Sequence, residues 1–169
     1  LGAYNGDTIR ELLHYTDGKF ASVTALEPDR RSFRKLNEWA SANITGDVTL
    51  VQAGAWNEDT VKCFTDQAGR QSRVAGQGKE TQMRALDSVL SGRPCTYLKM
   101  DVEGAEREAI AGAENTIRQY APKLNIAAYH RSEDFFQLLL LIHALQPSYR
   151  LYLRHHPYVP AWDTNLYAI

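Results

Sequence analysis

Short apolar runs alternate along this chain with segments whose apolar residues recur at helical spacing, and that alternation limits the fold more than any other feature. Thr8–Tyr15 reads as a helix and Ala21–Leu26 as a buried strand ending at Glu27-Pro28. Asp29–Asn43 carries Phe33, Leu36, Trp39 and Ala40 on one helical face, and Val48–Ala53 is a second apolar strand. Asp66–Glu80 is polar and aperiodic. It reads as an exposed excursion and candidate lid leading to a short segment, Thr81–Leu90. Thr96–Val102 is the third strand. Gly104–Tyr120 follows as a helix with Ala109, Ile110, Ala113 and Ile117 inward, and Leu124–Tyr129 is the fourth strand. Ser132–Leu145 closes the run as a buried helix, with Ser132 as N-cap and Asp134 in its first turn. Tyr149–Arg154 and Asn165–Ile169 form a final hairpin around a loop containing Pro157 and Pro160.

Strands that alternate with helices predict an α/β fold with a mostly parallel sheet and helices on both faces, because each crossover returns the chain to the same end of the sheet. Ligands bind such sheets at the carboxyl ends of the strands. The terminal hairpin adds an antiparallel strand. With 169 residues, 44% of them hydrophobic, the chain predicts one domain over residues 1–169. No strand leads into Leu1–Thr8, so a first strand is expected to be missing and the domain to be N-terminally truncated. Lys and Arg number 19 against 20 Asp and Glu, which leaves no strong field to attract nucleic acid or an acidic membrane. The longest apolar run, Phe135–Leu145, is too short to cross a bilayer. Cys63 and Cys95 form no metal-ligand pattern, and together with the size of the domain they favour a reducing, cytoplasmic setting.

Gly2 and Gly6 stand four apart just before a helix, where they let backbone approach a small ligand closely; the alternative is an ordinary turn with Asp7 or Thr8 as N-cap. Glu27 closes the next strand, where an acid can accept from both ribose hydroxyls, or else lies solvated before Pro28. Together the glycines and the acid point to an adenosine-containing cofactor, leaving open a nicotinamide or a methyl donor. The sharpest stretch is Tyr97–Glu106, in which a strand runs into two carboxylates and a glycine. Strand alternation places Lys99, Asp101 and Glu103 on one side, with a carboxylate as the partner expected for Lys99. The alternative has Asp101 or Glu103 capping the next helix and Lys99 reaching outward. Tyr129-His130-Arg131 ends the following strand, so His130 is expected to open onto the same cleft as Asp101. There it suits removal of a proton from an alcohol, with a carboxylate orienting it or acting itself. His143 reads as a satisfied core residue. Arg154, His155 and His156 either border the pocket or belong to a solvated hairpin.

The sequence resembles the FkbM family of S-adenosylmethionine-dependent methyltransferases. The resemblance is carried by LKMDVEGAERE, by LGAYNGDT with ALEPD, and by AAYHRSEDFFQLLLLIHAL through YRLYLRHH to NLYAI. It implies a Rossmann-like class I methyltransferase fold of seven strands with the last antiparallel, and O-methylation of a sugar, glycan or secondary metabolite. Carried over by position, it implies cofactor contacts from Gly2, Ala3, Asn5, Gly6 and Glu27, with the Ala53-Gly54-Ala55 turn near the adenine. Asp101, Glu103 and His130 would line the transfer site. No metal site is assigned, although a divalent cation between Asp101, Glu103 and His130 is a variant of the same enzyme class. A nicotinamide-dependent oxidoreductase and a catalytically inactive cofactor-binding module are the competing readings. Neither nucleic acid nor membrane is an expected partner.

Overall fold

A computed structural model describes residues 1–64, 79–157 and 163–169. The chain forms two compact units, Leu1–Gly54 with Thr60–Met83, and Ala55–Asp59 with Arg84–Ile169. In the first, α1 (Asp7–Tyr15), β1 (Ser22–Leu26), α2 (Arg30–Asn43) and β2 (Asp47–Val51) follow the expected alternation. β1 and β2 pair in parallel, from Ser22 opposite Asp47 to Leu26 opposite Val51. Ala3, Ile9, Ala25 and Leu36 form the buried centre, and Leu13, Val23, Phe33, Trp39, Ile44 and Leu50 pack against it. Asp29 ends the extended stretch around Pro28 and caps α2 by accepting from Ser32 N at 2.8 Å.

Three short strands went unforeseen. β3 (Gly54–Ala55), β4 (Thr60–Phe64) and β5 (Lys79–Arg84) form a sheet of order β3-β5-β4, with β4 and β5 antiparallel from Thr60–Met83 to Phe64–Lys79. The Ala53–Ala55 stretch therefore enters a strand rather than a simple turn. Most of the expected excursion, residues 65–78, lies outside the described residues, as does the part of the last loop at 158–162.

The second unit holds α3 (Leu86–Leu90), β6 (Tyr97–Met100), α4 (Glu106–Ala111), α5 (Glu114–Tyr120), β7 (Lys123–Ala127), α6 (Asp134–Leu145), β8 (Leu151–His155) and β9 (Thr164–Ala168). Its sheet has the order β6-β7-β9-β8. β6 and β7 run parallel with Leu98 opposite Leu124 and Met100 opposite Ile126, whereas β9 is antiparallel to both of its neighbours. Met100, Ile110, Ile117, Leu124, Ile126, Leu138, Ile142 and Leu166 are its fully buried centre. The fold is thus α/β with mixed sheets, and the closing hairpin is present. Among the described residues no helix is long and apolar enough to cross a membrane.

Three local expectations need correcting. The helix foreseen over Gly104–Tyr120 is two, broken around Gly112. The apolar residues Ala109, Ile110, Ala113 and Ile117 keep their helical spacing across the break and are all buried, so periodicity alone could not show it. A tertiary contact requires glycine there: a Cβ on Gly112 would lie 1.9 Å from the Trp56 carbonyl oxygen. α6 begins at Asp134 with Glu133 in the capping position, while Ser132 donates to Glu133 instead of capping. His143 lies on the exposed face of that helix, one step away from buried Ile142.

A single side chain joins α3 to α5. Asp87 Oδ1 accepts from Thr116 N at 2.9 Å and from its hydroxyl at 2.6 Å, and Oδ2 accepts from Asn115 N at 2.9 Å. α5 is therefore capped from a different helix. Asp87→Ala should destabilise the fold by about 2 kcal/mol, because it strands two helix-terminal N–H groups. Gly112→Ala should cost roughly 1–3 kcal/mol or more, since backbone and not a flexible side chain must yield. Both losses would be read from denaturant unfolding midpoints.

Candidate active site

The end of β1 gathers the first of two polar clusters. Gly2, Tyr4 and Gly6 all have positive φ (73°, 48° and 88°), which coils residues 1–6 into a tight loop. Gly2 N and Ala3 N both donate to the Leu26 carbonyl at 3.1 and 3.0 Å. Tyr4 N donates to Glu27 Oε2 at 2.7 Å, and Asp29 N to Glu27 Oε1 at 2.8 Å. Glu27 N in turn donates to the Val51 carbonyl, which Ala53 N also shares, so the turn after β2 is tied to the same point. Gly6 has a packing reason to be glycine: a Cβ there would lie 2.9 Å from Trp39 and 3.0 Å from Leu36. Gly6 also occupies the N-cap position of α1, so neither Asp7 nor Thr8 caps that helix. Asn5 Oδ1 accepts from Arg10 at 3.3 Å. Gly54 lies under Met83 and beside Pro28. Gly2, Ala3 and Glu27 are thus directly bonded around one strand end, Ala53 and Gly54 border it, and Ala55 belongs to the second unit.

Glu27 is buried, and its burial pushes the carboxyl up to about 7, outweighing the two backbone N–H donors that pull it down. Each of its oxygens holds one backbone donor and keeps a second acceptor direction. That acceptor pair fits a ribose: two vicinal hydroxyls would donate to both oxygens.

The second cluster forms where β6 and β7 end. Asp101 follows β6 directly, and Tyr129 and His130 follow β7 after one further residue, Ala128. Between Asp101 and α4 the chain turns through Glu103 (φ 57°) and Gly104 (φ 92°). A left-handed glutamate costs roughly 1–2 kcal/mol, which the contacts it makes must offset. Glu103 Oε2 lies 3.4 Å and Asp101 Oδ1 3.6 Å from His130 Nε2, while Glu106 Oε1 lies 2.9 Å from Nδ1. Tyr129 donates its hydroxyl to Asp101, with both carboxylate oxygens at 3.2 Å, and Lys99 Nζ is 3.5 Å from Oδ2. Burial and the charge of Asp101 push the Tyr129 phenol well above its usual range. Lys99 has the carboxylate partner expected for it. Neither Asp101 nor Glu103 caps α4, whose N-cap is Ala105.

Burial works against a charged His130, but hydrogen bonds to Glu103 and Glu106 and the negative charges of Glu106 and Asp101 outweigh it. The ring is held up at about 10. At neutral pH it is an imidazolium, donating from both nitrogens. A proton-accepting histidine does not suit this arrangement; Asp101 and Glu103 are the acceptors beside it. Asp101, Glu106 and His130 offer ligand atoms within 4.8 Å of one another. Glu106 nevertheless faces one ring nitrogen and Asp101 the other, so the imidazolium itself bridges the carboxylates. Sequence reading gave Glu106 and Tyr129 no part in the site. Glu106 stood within the quoted motif, yet an acid in a first helical turn looks like an ordinary helix start. His155 Nδ1 lies 3.0 Å from Thr164 Oγ1 and His156 Nε2 lies 2.9 Å from the Tyr167 hydroxyl. Both, like Arg154, are exposed parts of the hairpin.

A sequence model described as the methyltransferase FkbM domain matches residues 1–160. The crystal structure of methyltransferase FkbM from Methylobacillus flagellatus KT is similar with a TM-score of 0.82 and 32% identity, over 99% of this chain and 42% of that one. No curated protein gives a significant match. The chain belongs to the FkbM methyltransferase family and spans 42% of the length of the solved relative.

The raised Glu27 carboxyl has a signed effect on stability. The folded protein keeps this proton up to about 7, whereas an ordinary glutamate releases it near 4.5. Between those values the folded state binds more protons, so this contribution is full below about 4.5 and is lost as pH rises through about 7. Relative to Glu27→Gln, the parent should lose on the order of 3 kcal/mol across that window, as read from urea unfolding at acidic and mildly alkaline pH.

Proposed function

We propose that this chain is the core of an S-adenosylmethionine-dependent O-methyltransferase acting on a hydroxyl of a sugar, glycan or secondary metabolite. In this reading the domain has a class I, Rossmann-like arrangement. The observation that carries the proposal is the convergence of Asp101, Glu103 and His130 within 3.6 Å at the ends of two parallel strands, in a chain of this family.

The work divides between the two clusters. Glu27 binds the ribose of the cofactor, and Gly2, Ala3, Asn5, Gly6 and the Ala53–Ala55 stretch surround the nucleoside. Bound S-adenosylmethionine supplies an electrophilic methyl group on a sulfonium. Asp101 and Glu103 orient the acceptor hydroxyl and take its proton as the oxygen becomes nucleophilic. The charge of His130, whose Nε2 faces both, helps fix where those carboxylates lie. Alignment of this kind corresponds to roughly 7–11 kcal/mol, against roughly 10²- to 10⁴-fold for proton transfer, so orientation carries most of the acceleration. The free thiols of Cys63 and Cys95 accord with a cytoplasmic location.

Calorimetric titration with S-adenosylhomocysteine and turnover with an acceptor panel test the division. Glu27→Gln should weaken cofactor binding about 10- to 100-fold, as loss of hydrogen bonds to a charged group does. In the parent, affinity should rise as pH climbs through about 7 and the carboxyl ionises, and the variant should not show this. His130→Ala should slow turnover by about 10²-fold or more and leave cofactor affinity nearly intact. Unchanged turnover in that variant removes His130 from the mechanism. Binding without turnover on any acceptor would mark an inactive cofactor-binding module.

A further inference from the structure

Glu106 makes the closest contact to His130, although the reading above gives it no task. Its Oε1 lies 2.9 Å from Nδ1, against 3.4 and 3.6 Å for the carboxylates facing Nε2. The same oxygen accepts from Val102 N at 3.0 Å, in the turn that carries Asp101 and Glu103. The Glu106 side chain is 1% exposed, while those of Asp101 and Glu103 are 30% and 24% exposed. A carboxyl at that depth acts through the residues it holds and not on a molecule arriving from solvent. Nor is it suited to stability alone. Its second oxygen has no hydrogen-bond partner among the described residues, a cost that packing alone does not require.

We propose that Glu106 is the positioning residue of the site: by accepting from His130 Nδ1 and Val102 N together, it fixes the ring so that Nε2 is presented to Asp101 and Glu103. The arrangement matches the use of a buried carboxylate to set the orientation of a working imidazole. Its catalytic consequence rests on the methyl-transfer reading, whereas the hold on the ring does not. The ionisable groups around the ring come from every neighbouring element: Lys99 on β6 against Asp101, Asp101 and Glu103 in the turn, Glu106 on α4, Tyr129 and Arg131 beside His130, and Asp134 on α6. Asp134 is also buried, and burial first, then the charge of Glu106, raises its carboxyl while Arg131 opposes.

Glu106→Gln separates holding the turn from holding the ring, because a glutamine oxygen can still accept from Val102 N while the negative charge facing Nδ1 is gone. The ring signals of His130 are followed by NMR titration of the whole chain with labelled histidine, and are identified by their loss in His130→Asn. The midpoint of His130 should fall by about one pH unit or more in Glu106→Gln, with the signals of the other four histidines unmoved. An unmoved His130 in a folded variant overturns the proposal. The parent supplies a second measurement that does not depend on the variant folding. The His130 Nδ1 proton should be observable and protected from solvent exchange at neutral pH, and a rapidly exchanging one overturns the proposal equally. In turnover assays Glu106→Gln should lower kcat with KM changed by about twofold at most, as expected of an interaction made in the transition state. If the ring signals respond as stated but kcat does not, the hold of Glu106 on His130 stands and the part assigned to His130 in methyl transfer fails.

Discussion

Parallel pairing of β6 with β7 is the constraint on which the cluster around His130 depends. Two strands that run the same way must leave the sheet at the same edge, and the register of Met100 opposite Ile126 brings Asp101 and the Tyr129-His130 pair out side by side. Nothing in this fixes the charge balance. Asp101 and Glu106 place oxygens within 4.8 Å of each other, a separation at which two negative charges repel by roughly 3.5 kcal/mol at an effective dielectric of about 20. An imidazolium between them turns that repulsion into two attractions. The raised proton affinity of His130 and the convergence of the acids are therefore one fact seen from two sides.

The first unit solves a related problem with backbone instead of side chains. β1 and β2 are also parallel, and the loop of residues 1–6 is sewn to their ends through the Leu26 carbonyl and the Glu27 carboxylate. Both clusters are built from the few residues just past a strand. There the sheet fixes positions to a fraction of an ångström while the chain is free to offer polar groups. Glu27 and Glu106 show how differently one residue type is used. The first carries backbone donors on both oxygens, and the second puts all its hydrogen bonds on one.

Elements whose pattern is local were legible in the sequence. α1, α2, β1, β2, β6, β7 and the hairpin fall within a few residues of where apolar spacing puts them, and Asp101, Glu103 and His130 do meet. What failed had distant causes. The helix breaks beside Gly112, where the Trp56 carbonyl leaves room only for glycine, and no helical period encodes that contact. β5 alternates polar residues on both faces and buries Met83 deeply, so it lacks the apolar stripe that announces a strand. α6 is apolar almost all round, which left no way to tell that His143 faces outward. Glu106 is buried by a loop whose histidine stands 24 positions further along the chain.

β9 is the last strand in sequence, yet it sits inside its sheet, flanked by β7 and β8. Until that segment has emerged from the ribosome, the hydrogen-bonding edge of β7 that it will occupy stays open, and the buried positions of β7 lack the cover of Leu166 and Ala168. The second unit therefore cannot complete its folding before β9 has been made. In the interval its nascent form carries an unpaired edge of the kind that chaperones shield and neighbouring chains can capture.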